Sequence, residues 1–202
     1  MPYGIREKID LNSAGERMLT TLLLWTQLAM ASMPTPIQLT ETDLAKLSKG
    51  EAVIRDSGDG MAIGIIDVNA SPKSLWTEVI NVEPRVDEVG PSTMCTITER
   101  SEEAMKVTWG AGMLGMSVTF HLDYIIDHKN MLLSFDLDKT KENGIGHSRG
   151  SYQVLPRDSG SRLIYRSEDD PSSNIPKWMR SMLTGRPLKD QMHGIRKRAE
   201  AH

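Results

Sequence analysis

Apolar and polar positions change their spacing several times along the chain, and each change marks an element. Residues 18–31 form an uncharged run containing Leu19, Leu22, Leu23, Leu24, Trp25, Leu28, Ala29, Met30 and Ala31. A polar segment of mixed charge precedes this run, and Pro34 and Pro36 follow it. It is too short to span a bilayer comfortably. Thr40-Glu41-Thr42-Asp43 opens a short capped helix that ends near Gly50. Two strand-like runs then flank the turn Asp56-Ser57-Gly58-Asp59-Gly60, and the second, residues 61–68, is nearly all apolar and predicts a buried strand. Next, Ser71 caps a helix and Pro72 takes its first position, where a missing N–H costs nothing. Leu75, Trp76, Val79 and Ile80 make its apolar stripe, with Trp76 expected as a structural anchor against a sheet.

Residues 91–100, 104–109, 116–126 and 131–137 read as strands, with Gly110, Gly112 and Gly115 between the second and third. Alternation is clearest in Met116, Val118, Phe120, Leu122, Tyr124 and Ile126, which share one face opposite Ser117, Thr119, His121 and Asp123. Residues 139–146 form a polar hairpin tip, and residues 151–156 and 161–166 form a further hairpin. The chain closes on a helical pattern. Asn174 caps it, Pro176 enters its first turn, and Ile175, Trp178, Met179, Met182 and Leu183 fall on one face. After Gly185-Arg186-Pro187 the apolar positions resume at Leu188, Met192, Ile195 and Ala199. At about 100° per residue the second stripe is rotated roughly 140° from the first if the helix is continuous, and a break or kink at residues 185–187 would bring both onto one surface.

Composition narrows the class. A chain of 202 residues, 39 % hydrophobic, suits one domain with an appendage, and a net charge of −3 gives no general attraction to nucleic acid or anionic membrane. The single cysteine, Cys95, excludes an internal disulfide and a multi-cysteine metal site. Thirteen methionines beside two phenylalanines fit either an adaptable cavity wall or a soft core. No phosphate-cradling loop and no Gly-x-Ser-x-Gly elbow is present. His121 and Asp123, with His128 and His147 elsewhere, show no recurring ligand spacing and read as solvated groups on an outer face. Arg196-Lys197-Arg198 is a basic helix end that the helix dipole explains without a nucleic-acid partner. No cofactor, no metal and no nucleic acid is expected. Asp67, Glu78 and Asp136 are conceivable acid–base carboxylates, but nothing pairs them by spacing and no catalytic residue is assigned.

The order of these features resembles START-like domains of the SRPBCC superfamily, which includes Bet v 1-like, polyketide-cyclase and coenzyme-Q-binding proteins. Val68-Asn69-Ala70 leading into Ser71-Pro72 and a Trp76 helix resembles the start of such domains. Gly150-Ser151-Tyr152, Ser161-Arg162-Leu163-Ile164-Tyr165, Asp170-Pro171, Ile175-Pro176-Lys177-Trp178 and Pro187-Leu188 through Ile195-Arg196-Lys197-Arg198 are similar to their end. The chain departs from the pattern at Ser172 and Ser173, where related lipid-transfer domains often carry a glycine pair. Residues 82–89 are similar to the second short helix, with only Pro84 kept from its usual pattern. Leu44, Leu47 and Gly50-Glu51-Ala52-Val53 resemble the lead-in of exported bacterial members. With the Ala29-Met30-Ala31 ending, this predicts a signal peptide over 1–31, a linker and short helix over 32–50 and the domain over 51–202. The protein is then exported, periplasmic or secreted; the alternative is a cytoplasmic protein, or one anchored by an uncleaved leader.

The resemblance implies an α+β helix-grip fold: a curved antiparallel sheet around a long C-terminal helix, with two short helices after the first strand. It implies binding or carriage of a lipid, a quinone or another hydrophobic small molecule in a cavity between sheet and helix. A carrier of this kind is compatible with transient membrane contact. The alternative is a polyketide cyclase or aromatase-like enzyme acting in the same cavity, which a cavity-facing carboxylate–histidine or Arg–Tyr group would favour. The expected lining is Trp109, Phe120, Leu122, Tyr124, Phe135, Tyr152 and Tyr165 from the strands and Trp178, Met179, Met182 and Leu183 from the helix.

Overall fold

The computed structural model describes residues 37–56, 60–89, 92–113, 116–169 and 186–202, and all but Gln38 and its predecessor belong to the compact unit Leu39–His202. The predicted leader and the stretch holding Trp178, Met179, Met182 and Leu183 lie outside the described residues. In chain order the elements are α1 (Glu41–Ser48), β1 (Val53–Asp56), β2 (Met61–Val68), α2 (Pro72–Ile80), a 3-10 turn (Glu83–Asp87), β3 (Ser92–Arg100), β4 (Ala104–Met113), β5 (Met116–Asp127), β6 (Leu132–Leu137), β7 (Ser148–Pro156), β8 (Ser161–Asp169) and α3 (Arg186–Ala199). The strands form one open sheet in the order β1-β2-β8-β7-β6-β5-β4-β3. Every neighbouring pair is antiparallel. β3 to β8 meander, and β8 returns beside β2, so these six strands extend the sheet from one edge of the opening hairpin.

Local chemistry sets the helices. Thr40 and Asp43 form a reciprocal capping box at α1: the Thr40 side chain accepts from the Asp43 N–H, and the Asp43 carboxylate accepts from the Thr40 N–H at 2.9 Å. These bonds, with one from Arg55 at 2.6 Å, hold the Asp43 carboxyl down at about 2. α1 packs on β1 and β2 through Leu47, beside the register-matched Val53, Ile65 and Ile164, all buried apart from the main core. At α2, Ser71 accepts from the Ser74 N–H at 3.0 Å and Pro72 fills the first turn, as the sequence predicts. Trp76 is 6 % exposed, and its Nε1 donates to His128 Nδ1 at 3.1 Å.

The main core lies on the other face of the sheet. α3 buries Leu188, Met192, Ile195 and Ala199, the second stripe read from the sequence. Gly64 on β2 lets this helix come close, because a Cβ there would collide with the Met192 sulfur. The basic end of α3 is spent inside the chain. Arg198 pairs with Glu78 at 2.8 Å and with Glu88, while Arg196 donates to the Gly50 carbonyl at 2.6 Å and pairs with Glu200 at 2.8 Å.

Three strands run further than the sequence pattern predicts. β4 continues through Gly110 and Gly112 to Met113, and at Gly110 the missing side chain admits Thr93 and Met94 of β3. β7 begins at Ser148 and β8 ends at Asp169, because polar residues continue the alternation: Arg149 pairs with Glu168 across one face, while Ser148, Ser167 and Asp169 are buried on the other. The hairpin tip at residues 139–146 is also less polar than expected, since Ile145 is buried and the Asn143 side chain accepts from the His121 N–H at 2.8 Å.

Candidate functional site: an aromatic array with unspent donors

Residues directly opposite in adjacent strands share a face, so register decides which side chains meet. Tyr124 faces Phe135, Phe135 faces Gly150, Tyr152 faces Tyr165, and Tyr165 faces Gly64. Gly64 receives α3, so the four rings stand on the helix-bearing side of the sheet. They form a continuous array. Ring centroids are 5.6 Å apart for Tyr124–Phe135, 6.1 Å for Phe135–Tyr152, 6.3 Å for Phe135–Tyr165 and 4.8 Å for Tyr152–Tyr165. Gly150 leaves the room the Phe135 ring needs, since a Cβ there would meet the ring and the Arg166 carbonyl oxygen. Trp109 and Phe120 face each other one step along, and Leu122 follows opposite Val107. All seven strand residues predicted to line a site therefore join one apolar cluster; six are buried and Phe120 is half-buried at its margin. The four predicted helix residues are not among the described ones.

One residue of this site escapes the sequence pattern. Arg85, in the 3-10 turn, is fully buried, and its guanidinium lies 4.3 Å from the centre of the Tyr152 ring. Its Nη2 donates to the carbonyl of Val79 in the last turn of α2, whereas Nε and Nη1 have no acceptor among the described residues. Trp109 Nε1 likewise has none there. Val82, Arg85 and Val89 are all buried and recur at helical spacing, so the arginine occupies a position that the pattern gives to an apolar residue.

The remaining polar groups of this face include phenols, a thiol and one carboxyl. Burial pushes the phenols of Tyr124, Tyr152 and Tyr165 upward, with the positive charge of Arg85 opposing this at the first two. The Trp109 N–H near Tyr124 and the Arg85 guanidinium near Tyr152 oppose it further, although neither contact reaches hydrogen-bond geometry. All three phenols are therefore protonated at neutral pH, and Tyr152 donates to Gln191 Oε1 at 3.2 Å. Cys95 is pushed up to about 12 by burial, so it is a neutral thiol that donates to the Val82 carbonyl and not a nucleophile. Asp169 stands on the same face, opposite Ser148; burial pushes its carboxyl up to about 6, with Ser148 and Ser167 opposing.

The conceivable catalytic carboxylates are elsewhere. Asp67 is clamped by Arg162 at 2.6 Å and Arg157 at 2.9 Å, Glu78 is held by Arg198, and Asp136 is exposed beside Arg149. His121 bonds the Thr108 hydroxyl at 2.9 Å, and among the described residues no three His, Cys, Asp or Glu side chains are placed to hold a metal ion. A surface hollow of about 380 Å³ at His193, Arg196, Lys197, Glu200 and Ala201 shares no residue with the array.

Comparison with protein-family models finds no match, and comparison with curated protein sequences finds none either. Solved structures do match. A protein from Thermus thermophilus is 15 % identical over 70 % of this chain and 97 % of its own, with a TM-score of 0.60. A STAR-related lipid transfer protein from Xanthomonas axonopodis is 9 % identical over 73 % of this chain and 98 % of its own, with a TM-score of 0.55. A di-domain ARO/CYC protein of the steffimycin biosynthetic pathway is 11 % identical over 96 % of this chain and 62 % of its own, also at 0.55. The open antiparallel sheet with the C-terminal helix across it is thus a START-like, helix-grip fold.

Proposed function

We propose that the chain binds and carries a hydrophobic small molecule of the lipid or quinone class against the aromatic face of its sheet. Trp109, Phe120, Leu122, Tyr124, Phe135, Tyr152 and Tyr165 supply the wall from the strands; Trp178, Met179, Met182 and Leu183, which the sequence assigns to the same wall, lie outside the described residues. One observation carries the reading: the N–H groups of Arg85 and Trp109 are buried without acceptors among the described residues, on a face that is otherwise mostly apolar. A core closed on itself pairs nearly all its polar atoms, whereas a ligand site is an apolar surface with a few donors or acceptors awaiting a partner. Likeness to a STAR-related lipid transfer protein supports carriage.

A second reading, an aromatase or cyclase-like enzyme on the same face, is favoured by the Arg85–Tyr152 contact and by the likeness to an ARO/CYC protein. Arg85 would then polarise a carbonyl, and the neutral Tyr152 phenol would donate a proton, not abstract one. Asp169, near 6, is the carboxyl on this face suited to proton transfer at neutral pH. Carriage needs no turnover, and this separates the two readings.

The test of carriage is titration of the full chain with cis-parinaric acid, a fluorescent fatty acid, with a short-chain ubiquinone as competitor. The expected result is saturable one-to-one uptake, weakened about tenfold or more by Leu122→Trp, which overfills the wall while circular dichroism shows the fold retained. Absence of saturable uptake, or equal uptake by the folded variant, counts against this site.

A further inference from the structure

We propose that Arg85 is the anchor for a carboxylate at the head of the bound apolar molecule. This rests on the reading that the aromatic face holds a small molecule, and it narrows the ligand to an acidic amphiphile.

A guanidinium stays charged at any physiological pH, so complete burial calls for a counter-charge or a full set of acceptors. Among the described residues Arg85 has neither. Its Nη2 satisfies the Val79 carbonyl, and its face rests on Tyr152, but the N–H groups of Nε and Nη1 meet no acceptor. No described carboxylate forms an ion pair with it, although the other buried acids with nearby arginines do pair, as Asp67 and Glu78 show. Asp169 is the acid on the same face, and it forms no ion pair with Arg85.

A structural role explains only part of this. Capping the last turn of α2 uses Nη2 and places a cation where the helix dipole favours one. It does not account for Nε and Nη1, nor for an arginine where an apolar side chain would cap nothing and cost less burial. The surroundings show what is lacking. Protonated tyrosines and the Trp109 N–H, itself without an acceptor, are donors, and the Gln191 acceptor is already used by Tyr152. Asp169 and Ser167, whose oxygens also lack partners among the described residues, stand towards the Tyr165 end of the face, so at Arg85 itself the unspent groups are N–H donors, which selects an oxygen anion there. Among the described residues Arg85 is the one fixed positive charge in the array, so it matches a monoanion better than a phosphate dianion. The planar fork of a guanidinium also suits the two oxygens of a carboxylate.

The test compares cis-parinaric acid with its methyl ester, which keeps the apolar chain and loses the charge. The wild-type chain should bind the acid about tenfold or more tightly than the ester, as a charge-assisted bond implies. Arg85→Gln and Arg85→Met should lower acid affinity to the level of the ester and change ester affinity less than about threefold, while Arg85→Lys should keep part of the preference. If the wild type binds acid and ester equally, the Arg85 assignment is overturned and the apolar site stands. If it binds neither, both fail together. A variant that loses stability but keeps the acid-to-ester ratio shows a helix cap only and overturns the assignment. The wild-type comparison decides even when a variant does not fold.

Discussion

Replacing Trp76 by alanine should lower the unfolding free energy by about 3–5 kcal/mol, the cost of emptying a large buried aromatic site. The indole is 6 % exposed, on a helix that buries Leu75 and Val79 in the same core. It also gives a specific bond, since Nε1 donates to His128 Nδ1 at 3.1 Å while His128 Nε2 lies 3.0 Å from the Glu102 carbonyl. The imidazole is therefore held between α2 and the β3–β4 turn, accepting at Nδ1 and placed to donate at Nε2. Trp76→Phe should cost less, because it keeps most of the packing and leaves one acceptor without its donor, about 1 kcal/mol. Urea denaturation of the three proteins measures both steps. An alanine variant with the parental midpoint would show that the indole contributes no core packing.

The second large effect is a pH dependence of the unusual sign for an acid. Burial raises the Asp169 carboxyl from 3.8 to about 6, so between these values the unfolded chain releases a proton that the folded chain keeps. Stability from this group is complete below about pH 4, falls as pH rises, and is lost above about pH 6; the whole step is about 3 kcal/mol. Asp43, Asp127, Asp138 and Glu200 are held below their usual range and slope the other way. The quantity to measure is thus the difference between the wild type and Asp169→Asn. The variant should match the wild type near pH 4 and gain on it steadily to pH 7. A constant difference across pH 4–7 would mean that Asp169 titrates normally in the folded chain.

Much of the fold is legible because it is written in spacing. Alternation along residues 116–126 places Phe120, Leu122 and Tyr124 together whatever the strand's neighbours are, and Ser71-Pro72 followed by Leu75, Trp76 and Val79 fixes a helix locally. The array needs more, since Tyr124, Phe135, Tyr152 and Tyr165 meet only through the register of four strands. At the level of sequence they come together through the resemblance to a known fold. Neighbours at 9–15 % identity show why this works: pattern survives where residues do not.

What the sequence hid was polar. Arg85 follows a proline in a short turn, where an arginine ordinarily faces water, and its burial depends on Tyr152, far along the chain. The clue was its helical spacing between Val82 and Val89. Asp169 was hidden by the polarity of Ser167-Glu168-Asp169, which reads as the end of a strand. Its clue was the alternation of Leu163, Tyr165, Ser167 and Asp169, which holds to the last residue of β8. In both cases local polarity concealed burial that distant partners impose.

The central claim is that the aromatic face holds an apolar molecule, and native mass spectrometry of the full chain purified from its producing cell tests it most directly. The expected spectrum shows the polypeptide with a discrete added mass of several hundred daltons, released on denaturation, and extraction yields a molecule that is apolar apart from one acidic group. A spectrum showing only the bare polypeptide, both as purified and after incubation with a total lipid extract, would contradict the account.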